Sequence, residues 1–518
     1  MNGEVGMVGG RRDLWLLILL LGLLVAWRIA ALLHLDLELY ADEAQYWSWS
    51  LAPDFGYYSK PPMVAWLIAL STRLLGDGEL AVRAATFVLW PATSVWLWLT
   101  VRRLFAGEPW AAPAALASAL AFATLPMTFL GGILITTDAP LLFFWAASLY
   151  LLVRTLQGDR WRDWLGLGLL AGLGLLSKYS MVFFAPALLA YLLASPAQRR
   201  LLLTPKPYAA AAVALAVFAP NLVWNARHHY ASLQHTAEIS QLGRSLFHPE
   251  ALLEFFAAQF LVFGPIMLLG LIALALQPRI WWMDARLRLL AAFAFVPLAA
   301  FLLLALLSRA LANWAAFAYA AGSALVVTLW IVRRQGRWFK AALIVNLLLG
   351  ALVYHLPDAT RALGLELGRK TDPYARVTGY RALGAEVRRR LAAEPGARLM
   401  ADDRKSMASL LYYARPESLD AVYYNPSGAL DNHYVLTREV AQRPHGRFLL
   451  VTRGREPAQL ARHFAVVERM PDIRIRTHHD HMLVYQVWRL HDYKGAHCIP
   501  SGQRPNQSST RCVATASR

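Results

Sequence analysis

Charge is scarce in this chain. Only 16% of its 518 residues are Asp, Glu, Lys or Arg, and 57% are hydrophobic. A soluble domain carries roughly 25% charged residues, so the composition argues against an ordinary soluble enzyme. Acids are the scarcer sign, 33 against 51 basic residues, which leaves a formal net charge of +18. Cysteine is almost missing. Cys498 and Cys512 both lie in a Ser/Gln/Arg-rich stretch, 496–518, that reads as a disordered tail. A disulfide there would need an oxidising exterior and has no other support. No internal repeat is present.

What the chain has is long apolar runs. Runs near 20 residues recur from Leu14 to about Leu356, each long enough for a hydrocarbon core of ~30 Å. About eleven spans are expected, at 14–34, 80–103, 111–130, 139–155, 163–177, 179–195, 207–224, 252–276, 288–307, 314–332 and 339–356. The run 61–75 is shorter and opens with two prolines, so it reads as an interfacial or re-entrant helix. The first span lacks a small-residue cleavage site and is too long for a removable signal peptide.

The net positive charge does not point to nucleic acid, because its distribution follows the spans. Basic residues gather in alternate short loops: Arg11/Arg12, Arg102/Arg103, Arg160/Arg162, Arg199/Arg200/Lys206, Arg279/Arg286/Arg288 and Arg333/Arg334/Arg337/Lys340. By the positive-inside rule these loops face the cytoplasm. The opposite loops carry Asp42, Glu43, Lys60, Asp138, Lys178, the 228–235 histidine segment and Arg309. The residues able to do chemistry are thus expected on the outer, periplasmic face of a multi-pass inner-membrane protein. Charges at such depths are costly and mark functional sites by default.

An odd span count also places the C-terminal region outside. From about Pro357 the composition becomes more charged. Strands are expected at 398–401, 421–424, 448–452 and 481–488, and helices at 376–394, 403–414 and 456–464. A small α/β domain over 358–495 follows. It has no G-x-G-x-x-G or P-loop pattern, so nothing asks for a nucleotide.

The densest motif is Tyr40-Ala41-Asp42-Glu43-Ala44-Gln45-Tyr46-Trp47, closed by Gly56-Tyr57-Tyr58-Ser59-Lys60-Pro61-Pro62. Further along come Thr136-Thr137-Asp138-Ala139-Pro140, Ser177-Lys178-Tyr179, Asn221-Leu222-Val223-Trp224-Asn225 with histidines after it, and Ala312-Asn313-Trp314. In this order the motifs resemble the polyprenyl-phosphate-sugar-dependent glycosyltransferases of GT-C fold, which include the protein mannosyltransferase-like family and the aminoarabinose transferases that modify lipid A. The likeness covers about 14–332. It implies a polytopic helical transferase domain over 1–357 and a sugar donor on a polyprenyl phosphate. It implies a lipid or cell-surface glycan acceptor, lipid A among them, and inversion at the sugar carbon.

The residue types suit that chemistry. A lipid phosphate is already a weak base, so as a leaving group it needs cations more than a proton donor. The acceptor hydroxyl gains from a carboxylate base in hydrogen-bond reach. Asp42, Glu43 and Asp138 are the candidate catalytic carboxylates. Lys60, Lys178 and Arg309 are the candidate phosphate cations, and Tyr57, Tyr58, Asn225, His235 and Asn313 complete the expected binding set. In the aminoarabinose transferases the resemblance implies an acidic metal ligand just before Lys-Pro-Pro, paired with a later histidine. Here that residue is Ser59, and a hydroxyl is a poor zinc ligand. Glu43 with His235 would be the substitute pair. A divalent cation is therefore left open.

Plainer roles compete for each residue. Asp42-x-x-Gln45 fits a capping box. Asp138 with Pro140 fits the first turn of a span. Lys60 could be an interfacial snorkelling lysine. A lipid-linked-substrate transporter or flippase is the alternative function. Its charges would lie near the midplane on broken, often repeated helices, whereas here they lie at span ends on one side.

Overall fold

Prolines and glycines decide where the apolar runs become helices and where those helices break. In the computed structural model, which describes residues 2–240 and 247–495, the chain divides into two units, residues 1–367 and 368–518. The tail 496–518, with Cys498 and Cys512, lies outside the described residues.

The first unit is helical. Its elements are α1 (Asn2–Leu35), α2 (Ala41–Ser50), α3 (Met63–Leu75), α4 (Glu79–Leu104), α5 (Ala111–Ala123), α6 (Pro126–Ile133), α7 (Asp138–Gly158), α8 (Trp161–Ser177), α9 (Phe184–Ala194), α10 (Lys206–Arg227), α11 (Ala231–Ser240), α12 (Pro249–Val262), α13 (Pro265–Leu276), α14 (Arg279–Trp282), α15 (Ala285–Leu307), α16 (Ala318–Val332) and α17 (Gly336–Ala362). Tight 3-10 turns, Tyr179–Phe183 and Ala312–Ala315, precede α9 and α16. Among the described residues six helices are long and apolar enough to cross a bilayer: α1 from Arg12, α4, α7, α10, α15 and α17.

Two expected spans are broken. The run 111–130 forms α5 and α6, bent by 56°, because Pro126 forces the preceding Leu125 out of helical geometry (ψ 144°). The run 252–276 breaks at Gly264, whose φ of +87° suits glycine alone before Pro265 opens α13. Counting α5–α6 as one span gives seven. The expected spans 163–177, 179–195 and 314–332 coincide with helices of fewer than 18 residues, α8, α9 with its 3-10 lead-in, and α16. The helices pack through small residues. Ala114, Ala115 and Ala119 of α5 and Ala320, Ala321 and Ala324 of α16 are fully buried, as expected where close backbone approach rather than hydrophobicity joins helices in lipid.

The loop after α1 is held by one ion pair. Glu43 and Arg83 are each 1% exposed. Arg83 Nε and Nη2 donate to the two Glu43 oxygens at 2.9 and 2.8 Å, and Nη1 and Nη2 reach the Leu37 and Glu38 carbonyls. Glu43 also accepts from the backbone N–H of Tyr40 and of Ile135, both at 2.9 Å. The helix start is therefore organised by Tyr40 and Glu43, three residues apart, and not by the expected Asp42–Gln45 box. Glu43 wins because it reaches back to the Tyr40 N–H while both of its oxygens meet Arg83.

The second unit is α/β. Its strands are β1 (Ala397–Ala401), β2 (Val422–Tyr423), β3 (Arg447–Thr452), β4 (Phe464–His478) and β5 (His481–Tyr493), in the order β2-β1-β3-β5-β4. β1 runs parallel to β2 and β3, and β5 is antiparallel to β3 and β4. The helices are α18 (Tyr380–Ala392), α19 (Arg404–Tyr413), α20 (His433–Arg438) and α21 (Pro457–His463). The sequence pattern missed β4 because most of its side chains are exposed or half-buried and many are charged. The unit begins at Gly368 rather than 358 because α17 runs on through Pro357 to Ala362.

Leaving one partner of a buried pair uncompensated costs about 3–5 kcal/mol. Glu43→Ala and Arg83→Ala should each lower the melting temperature of the detergent-purified protein sharply. The double variant Glu43→Leu/Arg83→Met should recover much of the loss. Single variants that melt like the wild type would mean that the pair does not hold this loop.

Candidate active site

Short polar segments between the helices of the first unit converge through hydrogen bonds. The tie from Glu43 to Ile135 attaches the α2 loop to the segment 134–137 that leads into α7. Thr137 precedes α7, and Asp138 is its first residue, with its N–H bonded to the Thr136 hydroxyl at 3.2 Å. An acid in a first turn is favoured by the helix dipole. Its side chain does more. Asp138 Oδ1 lies 2.6 Å from Lys178 Nζ and Oδ2 accepts from Asn313 Nδ2 at 2.6 Å. Three expected site residues, from the starts or ends of α7, α8 and the turn before α16, thus meet. Lys178 sits there because α8 stops at Ser177 and the backbone turns extended (φ −160°). The side chains of Lys178 and Asp138 are 15% and 12% exposed, nearly buried but open at one edge.

Beside Lys178, the Tyr179 hydroxyl joins a polar knot. It lies 2.6 Å from Ser232 Oγ and 3.2 Å from Asn221 Oδ1, and Ser232 donates to Asn225 Oδ1 at 2.6 Å. Asn221, Asn225 and Ser232 are fully buried. The knot ties the end of α10 and the start of α11 to the α8–α9 turn.

The same α10 end grips the loop that leaves α2. Asn221 Nδ2 donates to the Phe55 carbonyl and Trp224 Nε1 to Asp54 Oδ2, both at 2.7 Å. Gly56 is required at this crossing, since a Cβ there would lie 2.5 Å from the Trp224 ring. Tyr57 and Lys60 then pair as an antiparallel bridge, with N···O distances of 3.1 and 3.3 Å, so Tyr58 and Ser59 form the tip of a tight turn. Tyr57 stacks on Trp49 at 4.5 Å with a 2° interplanar angle and donates to its carbonyl. Burial pushes the Tyr57 hydroxyl up to about 12, so it stays protonated. Tyr58 packs on His235 of α11 at 5.0 Å between ring centroids.

The remaining expected residues stand as follows. Asp42 is half-buried on α2, as is Lys60 after the turn. Arg309 is exposed in the segment leading to Asn313. Glu43 carries its full set of partners and is committed to Arg83. Sequence reading missed Arg83 and Ser232 as members of the network, and quoted Tyr179 only within the Ser177-Lys178-Tyr179 motif. Arg83 had a signal, an arginine a few residues into an apolar run; Ser232 had none. Among the described residues no three His, Cys, Asp or Glu come together to hold a metal ion. Ser59 offers only a hydroxyl, and Glu43 is taken by Arg83, so these residues do not fit the metal pair that the resemblance implied.

Known proteins resemble this chain in sequence and fold. Residues 59–224 match the family described as dolichyl-phosphate-mannose-protein mannosyltransferase. Lipid A galacturonosyltransferase RgtD of Rhizobium johnstonii is 31% identical over 452 residues, covering 83% of this chain and 89% of that protein. Lipopolysaccharide core galacturonosyltransferase RgtA of the same organism is 30% identical over 170 residues, 33% of each chain. The fold matches ArnT from Cupriavidus metallidurans, apo (TM-score 0.60) and bound to undecaprenyl phosphate (TM-score 0.59). Both are 15% identical and cover 90% and 92% of this chain and 97% of theirs. At 31% identity along most of both chains, with the GT-C fold around converging polar loops, the chain belongs to the polyprenyl-phosphate-sugar-dependent membrane glycosyltransferases.

Proposed function

We propose that the chain transfers galacturonic acid, the sugar named for its Rhizobium relative, from a polyprenyl phosphate such as undecaprenyl phosphate to lipid A. The reaction would take place on the periplasmic face of the inner membrane. The observation that carries the mechanism is the meeting of Asp138, Lys178 and Asn313 next to a loop tied down by Glu43 and Arg83. It puts a cation, an amide and carboxylates at one end of the helices, which suits charge that develops on a departing phosphate.

In this reading Asp42 is the base. Its neighbour Glu43 is a positioning residue, since all its oxygen capacity serves Arg83 and two backbone N–H groups. The acceptor hydroxyl attacks the anomeric carbon as its proton passes to the Asp42 carboxylate. The bond from that carbon to the phosphate oxygen breaks, and the carrier phosphate leaves against Lys60 and Lys178. One displacement without a covalent enzyme intermediate inverts the sugar carbon. Asp138 holds Lys178 in place between turnovers, and Asn313 shares that carboxylate. Arg309, exposed and just upstream of Asn313, is available to the carboxylate that distinguishes a uronic acid from a neutral hexose. Tyr57 and Tyr58 wall the turn, His235 of α11 packs on Tyr58, and Asn225 holds Asn221, which bonds the loop at Phe55.

The orientation rests on the basic loops, which lie at the opposite helix ends from this site. Eleven crossings, with the short helices α8, α9 and α16 and the jointed α12–α13 each spanning, would leave the C-terminal unit periplasmic. A reporter fused after residue 340 should then read cytoplasmic and one after residue 365 exterior. The same side for both would remove the topology.

Lipid A from cells making the protein should gain the mass of one uronic acid residue, and Asp42→Asn should abolish the gain. In purified protein that change should cost about 10²–10⁴ in rate while the protein stays folded and binds donor. A neutral-sugar increment would overturn the substrate assignment, and near-normal turnover by Asp42→Asn would overturn the base.

Lys60→Ala and Lys178→Ala should each raise KM for the donor or lower kcat. If both grip one phosphate, their free-energy losses in a double-mutant cycle should not add. Strict additivity would separate the two lysines.

A further inference from the structure

The far end of α16 carries positive charge that no acid balances. Arg333 and Arg334 follow α16, and Arg337 and Lys340 lie in the first turns of α17; all four are exposed. None pairs with an acid among the described residues. Other basic loops are partly neutralised: Arg102 meets Asp13, Lys206 meets Asp159, and Arg286 meets Asp284 and Glu108. Arg337 also stands against its own helix dipole, which favours acids in a first turn that here has none. The turn is fixed by the Gln335 N–H on the Trp330 carbonyl at 2.7 Å.

Next to these cations a groove of about 440 Å³ runs between α13, α16 and α17. Its lining includes Leu269, Ala273, Val326, Trp330 and Trp338 together with the polar Arg333 and Gln335. The Arg337 guanidinium sits 5.6 Å over the ring of Trp338, itself a lining residue of the groove. The groove lies at the opposite end of α16 from Asn313, so it is no part of the transfer site.

We propose that this groove binds an anionic phospholipid of the surrounding bilayer, with an acyl chain along the apolar walls and the phosphate among Arg333, Arg334 and Arg337. Basic pockets between membrane helices select anionic head groups in this way. Neither half of the site suffices for another ligand. A soluble anion has no use for the apolar walls, and a zwitterionic lipid brings its own ammonium to cations already in excess. The bound lipid would brace α13, α16 and α17 against one another.

The test is native mass spectrometry of the purified full chain in mild detergent, with phosphatidylglycerol and phosphatidylcholine offered in competition. Wild type should retain one phosphatidylglycerol in preference. Arg333→Gln should weaken that retention about fivefold and Arg333→Gln/Arg337→Gln about thirtyfold, at the usual worth of a basic residue near an anionic surface. Ala273→Trp, which fills the groove and keeps every charge, should also lose it. Arg199→Gln/Arg200→Gln, which removes equal charge from another basic turn, should not. Equal retention of both lipids by wild type would overturn the site. So would undiminished binding by Ala273→Trp, or an equal loss in Arg199→Gln/Arg200→Gln, which would mean only general surface attraction. Displacement of the lipid by inorganic phosphate would reduce it to a simple anion site.

Discussion

The buried pair between Glu43 and Arg83 is the constraint on which the rest of the first unit's polar end depends. Two charges withdrawn from water are stable only when every lone pair and proton is matched. Here the carboxylate takes the guanidinium and two backbone N–H groups, and the guanidinium takes two carbonyls as well. That requirement pulls four stretches together: the end of the α1–α2 connection, α2, the first turns of α4 and the strand-like segment before α7. Asp138 follows Ile135 by a few residues, so the position of the Lys178–Asn313 cluster is inherited from the pair.

A second consequence is a division of labour between adjacent acids. Glu43 is spent on structure, and Asp42, one residue earlier on a helix and so on another face, remains half-buried. Adjacent carboxylates look equivalent in a motif. In a helix they point some 100° apart, a separation set by about 3.6 residues per turn, and only one can face the arginine. The same logic governs Asp138, whose dipole-favoured place at the start of α7 does not stop its side chain from joining α8 to the turn before α16.

The polar knot around Tyr179 and the Asn221–Trp224 grip on the 54–56 loop perform a similar task on the other side. Loops that leave a bilayer are short of partners, and a loop that must hold a precise shape needs them from neighbouring helices. Asn221, Asn225 and Ser232 are fully buried and fully engaged, which makes them a scaffold for the turn that carries Tyr58 and Lys60. The two ends of the helical unit differ accordingly: one is a network of matched polar groups, while at the other Arg333, Arg334, Arg337 and Lys340 pair with no acid among the described residues.

The sequence by itself determined the class of the molecule. Apolar runs, scarce charge and basic residues in alternate loops can be met only by a multi-pass helical protein, because hydropathy and charge are local sums that need no partner. The motifs around Asp42, Lys60, Asp138, Lys178 and Asn313 were legible for the same reason, as charges or amides where the chain leaves an apolar run. Breaks at Pro126 and Gly264 were written in those residues, yet run length concealed them. Only the tertiary structure decided which acid meets Arg83, because the direction in which an arginine forty residues away lies is not written in the motif. It also decided that Asp138, Lys178 and Asn313 meet, and that Arg83 and Ser232 belong with the site. A hydrogen bond between residues 40 to 175 positions apart leaves no periodicity in a sequence; it exists only once the helices that carry both ends have packed.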